Sequence, residues 1–326
     1  LLSEVLPLSK PISTASLTRQ VHKVARRLEA ELGEEQVVFI EGCQQQWYEL
    51  PEPAEPIVMG IDGGYVRARS AEQRCDGNFD VIVGKSLAGQ GDSKCFGFVT
   101  SYDTKPKRRI FESLRKQGMQ PNQQVTFLSD GGDNVRQLQL YLHPQSEFLL
   151  DWFHLTMRLT VMRQMVKGFP ADFKLGETTP SQLDKELERL KWYLWYGNLY
   201  KALTIASDLH FELETLGDGK PEVSKLTKTL EDFNRYITLN KAYIVNYGER
   251  YRNGERISTG FVESSVNQII SKRFVKRQQM RWTRQGTHLL LQVRVQVLNQ
   301  QWQAVFERWY PGLKQSEPVD QLRLAA

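Results

Sequence analysis

Two short runs constrain this chain more than anything else in it. Gly60-Ile61-Asp62-Gly63-Gly64 and Leu128-Ser129-Asp130-Gly131-Gly132 each set a carboxylate at the end of an apolar stretch. An apolar run closed by Asp-Gly-Gly predicts a buried strand stopped by a turn, because glycine tolerates positive φ and lets backbone approach a neighbour closely. The Asp is then carried to the carboxyl end of its strand, where open α/β sheets bind their ligands. One such run is most economically turn chemistry alone. Two of them, with a third carboxylate, Glu263, at the head of a strongly basic segment, point to a site for metal-dependent phosphoryl transfer.

The order of the other elements supports a sheet of that kind. Leu17, Val21, Val24, Leu28 and Leu32 recur at helical spacing behind Ser13 or Thr14 as a cap, which predicts a helix leading into the core. The stretch from Pro51 to Pro56 predicts an extended linker, since proline removes a donor and biases its neighbours away from helix. Short runs from Ile57 to Asp62, Tyr65 to Arg69, Phe79 to Lys85 and Phe96 to Ser101 predict an antiparallel meander. A helix from Arg108 to Gln117, a strand from Gln124 to Asp130, a helix from Asn134 to Leu142 and a strand from Glu147 to Phe153 follow. Strands, then helix, strand, helix, strand, is the ribonuclease H-like plan: an α/β fold with a central mixed sheet and helices on its faces. On it Asp62 lies on the first strand and Asp130 at the end of the fourth, as neighbours across the sheet.

Beyond residue 155 the signal is helical. Leu183, Leu187, Leu190 and Leu194 mark one amphipathic helix, and Trp192, Tyr193, Trp195, Tyr196 and Tyr200 run through it and past it. At that spacing aromatics read as core before they read as a base-stacking surface. The expected organisation is a helical lead-in and linker (1–56), a first part of the core (57–155), an all-helical insertion (156–255), final core helices with Glu263 (256–312) and a polar tail (313–326).

Composition excludes some classes. The 326 residues are 40% hydrophobic, enough for a substantial core and long for one ordinary domain. No apolar run approaches the roughly 20 residues that cross a bilayer, and no secretory leader is visible, so a cytoplasmic protein is expected. The chain starts at Leu1, which reads as a piece of a longer product. Cys43, Cys75 and Cys95 form no Cys-x-x-Cys pair, which argues for a reducing compartment and against a zinc ribbon. With His22, His143 and His210 they read as ordinary core or surface residues. The formal charge of +5 is mild, so what matters is where the cations cluster.

They cluster after Glu263. Lys272, Arg273, Lys276, Arg277, Arg281 and Arg284 appear with no Asp or Glu before Glu307, which reads as a phosphate-binding face beside the third carboxylate. Trp282 lies among them, either stacked on an unpaired base or anchoring the segment in the core. Hard divalent ions take oxygen ligands, and two of them about 3.5 to 4 Å apart can activate an attacking oxygen and stabilise a leaving one. Asp62 is expected to bridge two Mg²⁺ or Mn²⁺ ions, with Asp130 and Glu263 each completing one. Asp133 and Glu255 stand as substitutes.

The chain resembles the DDE-type transposases of bacterial insertion sequences, close to the ISKra-type group, over roughly Ile57 to Val297. The resemblance is carried by Met59-Gly60-Ile61-Asp62-Gly63-Gly64-Tyr65-Val66, Phe127-Leu128-Ser129-Asp130-Gly131-Gly132, Asp151-Trp152-Phe153-His154 and Val262-Glu263-Ser264-Ser265-Val266-Asn267, then Ile270-Ser271-Lys272-Arg273 and Met280-Arg281-Trp282. Asp151-Trp152-Phe153-His154 is similar to the Cys/Asp-x-x-His signature that follows the second catalytic Asp in several transposase superfamilies. The resemblance implies Asp62, Asp130 and Glu263 as catalytic triad, and an insertion domain in the roughly 130 residues between the last two, too many for a loop. It also implies strand cleavage at transposon ends and transfer into target DNA, by a homodimer or larger oligomer on DNA at the bacterial nucleoid. Asp151 and His154 are expected to support the site in a structural or DNA-positioning role ahead of the alternative of metal ligation, Asp151 holding a helix amino terminus and His154 bonding to it or contacting DNA. The rival expectations are a ribonuclease H-like nuclease that cuts without joining, and an inactive relative that only binds nucleic acid.

Overall fold

Strand alternation builds the central sheet. Along β1 (Ile57–Arg67), Ile57, Met59 and Ile61 turn to one face and are buried, while Gly60, Asp62, Gly64 and Val66 occupy the other. The computed structural model describes residues 13–53, 55–69, 77–89, 93–170, 172–216, 220–275 and 281–311. Of the residues singled out above, Cys75, Lys276, Arg277 and Met280, with the tail from 312 onward, lie outside the described residues. β2 (Asn78–Ala88) and β3 (Lys94–Val99) continue from β1 as an antiparallel meander, and β4 (Val125–Ser129) and β5 (Ser146–Leu150) run parallel to it. The order β3-β2-β1-β4-β5 makes a mixed five-stranded sheet, compatible with the ribonuclease H-like plan.

Helices cover both faces. Before the sheet lie α1 (Thr14–Glu31) and α2 (Gln44–Tyr48). Between strands, α3 (Pro106–Lys116) and α4 (Asp133–Gln139) set Ile110, Leu114, Val135 and Leu138 on the face of Ile57, Met59 and Ile61. After β5 come α5 (Trp152–Lys167), α6 (Pro180–Trp195), α7 (Leu199–Leu216), α8 (Pro221–Leu239) and α9 (Tyr247–Arg252). The first four pack leucine faces into a core of their own, with Leu159, Leu190, Leu209 and Leu230 inside it. The chain then returns to the sheet as α10 (Gly260–Val266), a π-helix (Asn267–Val275), α11 (Arg284–Leu298) and α12 (Trp302–Trp309). Ile269, Ile270 and Phe274 of the π-helix and Leu291 of α11 cover the face of Val66, Val81 and Val83. No described helix is long and apolar enough to cross a membrane.

Three sequence expectations change. The first Asp-Gly-Gly does not stop its strand: β1 continues through Gly63 and Gly64 to Arg67, so the two expected strands are one. Close approach requires the glycines on its helix-covered face, since a Cβ on Gly64 would stand 2.9 Å from Ile270 Cδ1 and one on Gly60 would clash with Val262 and Phe261. The second Asp-Gly-Gly does turn, with Gly131 at φ +81°. The expected strand from Glu147 to Phe153 ends at Leu150 because Asp151 caps α5 and its carboxylate accepts the Phe153 N–H at 2.9 Å. Finally, the basic segment begins as a π-helix, a rare form that widens the spacing of its side chains.

Candidate active site

Parallel pairing of β1 with β4 sets Gly60 opposite Leu128, and the same register continued by two residues brings Asp62 level with Asp130. Both line one cavity of about 520 Å³, together with Tyr65, Asp80, Thr100, Asp133 and His154. Asp62 accepts the Gly63 N–H at 2.8 Å. Burial raises its pKa; that bond and the nearby His154 pull the other way, while Asp130 and Asp151 add to the rise. The Asp130 carboxylate accepts the Gly132 N–H at 3.1 Å, and its backbone carbonyl accepts the Tyr236 hydroxyl at 2.8 Å. Tyr236 comes from α8, so the helical region holds the loop of the second carboxylate.

Asp151 is fully buried and organises the rear of the cavity. Its carboxylate accepts the backbone N–H groups of Phe153 at 2.9 Å and Thr259 at 3.1 Å, the Thr259 hydroxyl, and Nδ1–H of His154 at 2.7 Å. Burial disfavours the charged form of His154, but the bond to Asp151 and the charges of Asp151, Asp62 and Asp130 raise its pKa overall. Thr259 precedes α10, so Asp151 also ties down the segment that leads to Glu263. A Thr at a helix start ordinarily caps that helix. This one gives its hydroxyl to Asp151 instead, and its place before Gly260 is the signal that could have found it. Tyr236 carries no such signal, being one aromatic among many in helical sequence.

Glu263 is exposed on the first turn of α10 and does not line the cavity. Its two preceding residues, Phe261 and Val262, press against Gly60, so its helix is seated on the strand that carries Asp62. The structure thus brings Asp62, Asp130 and His154 together in one cavity, and leaves the expected third carboxylate, Glu263, outside that cavity on a helix that packs against β1 at Gly60. Of the substitutes, Asp133 pairs with Arg136 at the rim and Glu255 with Arg250 at 2.9 Å.

Among the described residues, Glu29, Asp103 and His288 are the one group of carboxylate and imidazole ligand atoms lying within 4.8 Å of one another, close enough to hold a metal ion. The cation there is Arg109. Its guanidinium donates to Glu29 at 3.0 and 2.9 Å, to Asp103 at 2.9 and 3.1 Å, and to Gln292 at 2.7 Å. With both carboxylates engaged on a buried bidentate partner, the cluster is an ion-pair network joining α1 to α3.

Of the basic residues, Lys272 and Arg281 are exposed. Arg273 is half-buried, its guanidinium carbon 5.3 Å from the Trp282 ring centroid. Trp282 packs edge-on to Phe274 at 4.8 Å, and its backbone pairs with Arg67 and Arg69 at 2.9 Å each, extending the line of β1. Cys43 is exposed, whereas Cys95 is buried against Ser265 and His143 bonds to the Gln120 carbonyl at 2.8 Å, as ordinary core groups do.

No family model and no curated protein matches the sequence. Among solved structures the chain is similar to a crystal structure of NurA, at 14% identity and TM-score 0.16, covering 89% of this chain and 65% of that one. It is likewise similar to a crystal structure of NurA with manganese, at 13% identity and TM-score 0.16, covering 91% and 65%. The chain therefore spans 65% of the length of each NurA chain it matches, and a likeness this loose assigns neither fold nor activity.

Proposed function

We propose that this chain is a DDE-type transposase that cleaves DNA strands at transposon ends and joins the freed 3′ hydroxyl to target DNA. The observation that carries the proposal is the meeting of Asp62 and Asp130 in one cavity, with the helix of Glu263 seated on β1 beside them. The resemblance to ISKra-type sequences adds the substrate, and the helices α5 to α9 then stand as the insertion between the second and third carboxylates.

The residues fit a divalent cation. Their donors are carboxylate oxygens, which Mg²⁺ and Mn²⁺ select. Burial and two neighbouring carboxylates work against a charged Asp62, and a bound cation relieves that strain. Asp62 and Asp130, with Glu263 brought in from α10, would hold the ions. Bound there, the ions would activate the attacking oxygen and stabilise the leaving one. The chain's own contribution is placement: a mid-strand position holds Asp62, Gly132 and Tyr236 orient Asp130, and Asp151 fixes the entry to α10. Lys272, Arg273 and Arg281 would contact the DNA backbone, with Lys276 and Arg277 continuing the same basic run. The partners in this reading are transposon ends, target DNA and further copies of the chain, at the bacterial nucleoid.

The test is transfer of a labelled transposon end into plasmid DNA in Mg²⁺ or Mn²⁺. Joined products that vanish in Asp62→Asn, with DNA affinity little changed, are expected. Cleavage never followed by joining would place the chain with ribonuclease H-like nucleases. DNA binding with neither reaction would make it an inactive binding relative, and full activity in Asp62→Asn would overturn the triad.

A further inference from the structure

We infer that His154 is itself a ligand of the metal pair, with Asp151 holding its ring for that task; this rests on the function proposed above. The ring's Nδ1 is committed to Asp151 at 2.7 Å, and Asp151 has no exposed surface. Three further donors, from Phe153 and Thr259, fix that carboxylate in place. With Nδ1–H donating, the lone pair of the neutral ring belongs to Nε2. The ring lines the same cavity as Asp62 and Asp130.

A buried carboxylate behind an imidazole that faces a pair of carboxylates is the arrangement that metal-binding histidines carry behind them. A helix cap alone does not account for it, because Asp151 caps α5 through the Phe153 N–H and needs no histidine to do so. The ligand atoms of Asp62, Asp130 and His154 are not all within 4.8 Å of one another. A nitrogen donor also changes which ion the site prefers. Imidazole favours transition ions, whereas carboxylates and water suit Mg²⁺ as well as Mn²⁺, so His154 biases the site toward Mn²⁺.

The experiment is Mn²⁺ binding to the full chain carrying ¹⁵N-labelled histidine, read by pulsed electron paramagnetic resonance and by titration calorimetry. A directly bound imidazole nitrogen is expected in the parent chain. It should disappear in His154→Gln and persist in His288→Gln, which removes the imidazole of the Glu29 and Asp103 cluster. His154→Gln should weaken Mn²⁺ binding about tenfold or more and Mg²⁺ binding less, since the amide oxygen can replace nitrogen on the harder ion. Thr259→Val removes one donor to Asp151 without touching the ring, and should weaken Mn²⁺ binding while leaving the nitrogen signal in place. Mn²⁺ that binds through Asp62 with no imidazole coupling would overturn the role of His154 and leave the carboxylate site standing. Coupling that survives His154→Gln would overturn it equally, and failure of Mn²⁺ to bind at all would overturn both.

Discussion

The Tyr236 hydroxyl donates to the backbone carbonyl of Asp130 at 2.8 Å, so a residue of α8 holds the loop that presents the second carboxylate. The Arg158 guanidinium carbon lies 4.2 Å from the centroid of the same ring, and Asn240, one turn further along, stands 2.5 Å from where a Cβ on Gly131 would be. Burial raises the pKa of the phenol, which keeps the hydroxyl a donor. The helical region is therefore a brace for the cavity as well as a separate core. Tyr236→Phe deletes the donor and leaves the carbonyl unsatisfied, an expected loss of about 1 to 3 kcal/mol. Denaturant unfolding measures that loss, and a Mn²⁺ titration should show several-fold weaker binding. A variant unchanged in both measurements would mean that Asp130 is positioned without its help.

Gly60 tests the seating of Glu263. An added methyl would meet Val262 and Phe261, both in the turn that bears Glu263. Overpacking of this kind costs about 1 to 3 kcal/mol. Gly60→Ala should therefore lose stability and also reduce strand cleavage by more than Tyr65→Phe, an exposed change at the cavity rim. Stability loss with full cleavage would show that α10 can shift without moving the carboxylate that matters.

Much of this was legible in the sequence wherever a signal was local. The Asp-Gly-Gly runs marked the two carboxylates that meet, although only the second run ends its strand, and the spacing of Asp151 and His154 anticipated the cap and its hydrogen bond. What was hidden depended on distant partners. Glycine signals a turn and a close approach alike, and only Ile270, far along the chain, decides that Gly64 is the second kind. The network of Glu29, Asp103, Arg109 and His288 joins three separate segments, and no spacing rule connects them. The π-helical start of the basic segment was invisible for another reason: charge pattern reports where cations are, not how many residues each turn holds.

Glu29 predicts an acid-sensitive stability. Burial works to raise its pKa, but the bonds and charges of His288 and Arg109 outweigh burial and lower it from 4.5 to about 2. Because the folded value lies below the unfolded one, the contribution is present above about pH 4.5 and lost as pH falls toward 2. The shift corresponds to roughly 3 kcal/mol. Unfolding free energies of Glu29→Gln and the parent, measured across that window, should differ most at its upper end and converge at its lower end. A constant difference would mean that the carboxylate's charge does not carry the stability.

The basic segment makes a prediction about salt. Lys272 and Arg281 project into solvent, whereas Arg273 lies against Trp282, so the first two can be reversed without disturbing the core. If each neutralises one phosphate, log affinity falls with log salt at about 0.9 per contact, and the doubly reversed chain should show a slope flatter by about 1.8. The loss should be equal across unrelated duplexes, because phosphate contacts carry no base information. Trp282→Ala should act through the fold, since its ring packs on Phe274 and its backbone extends the line of β1. Its expected signature is a stability loss of about 2 to 4 kcal/mol, with binding to plain and frayed-end DNA weakened alike. Salt titrations of both variants on both DNAs decide the matter: unchanged slopes would make Lys272 and Arg281 a solvated face, and a loss confined to frayed ends would make Trp282 a base-stacking residue.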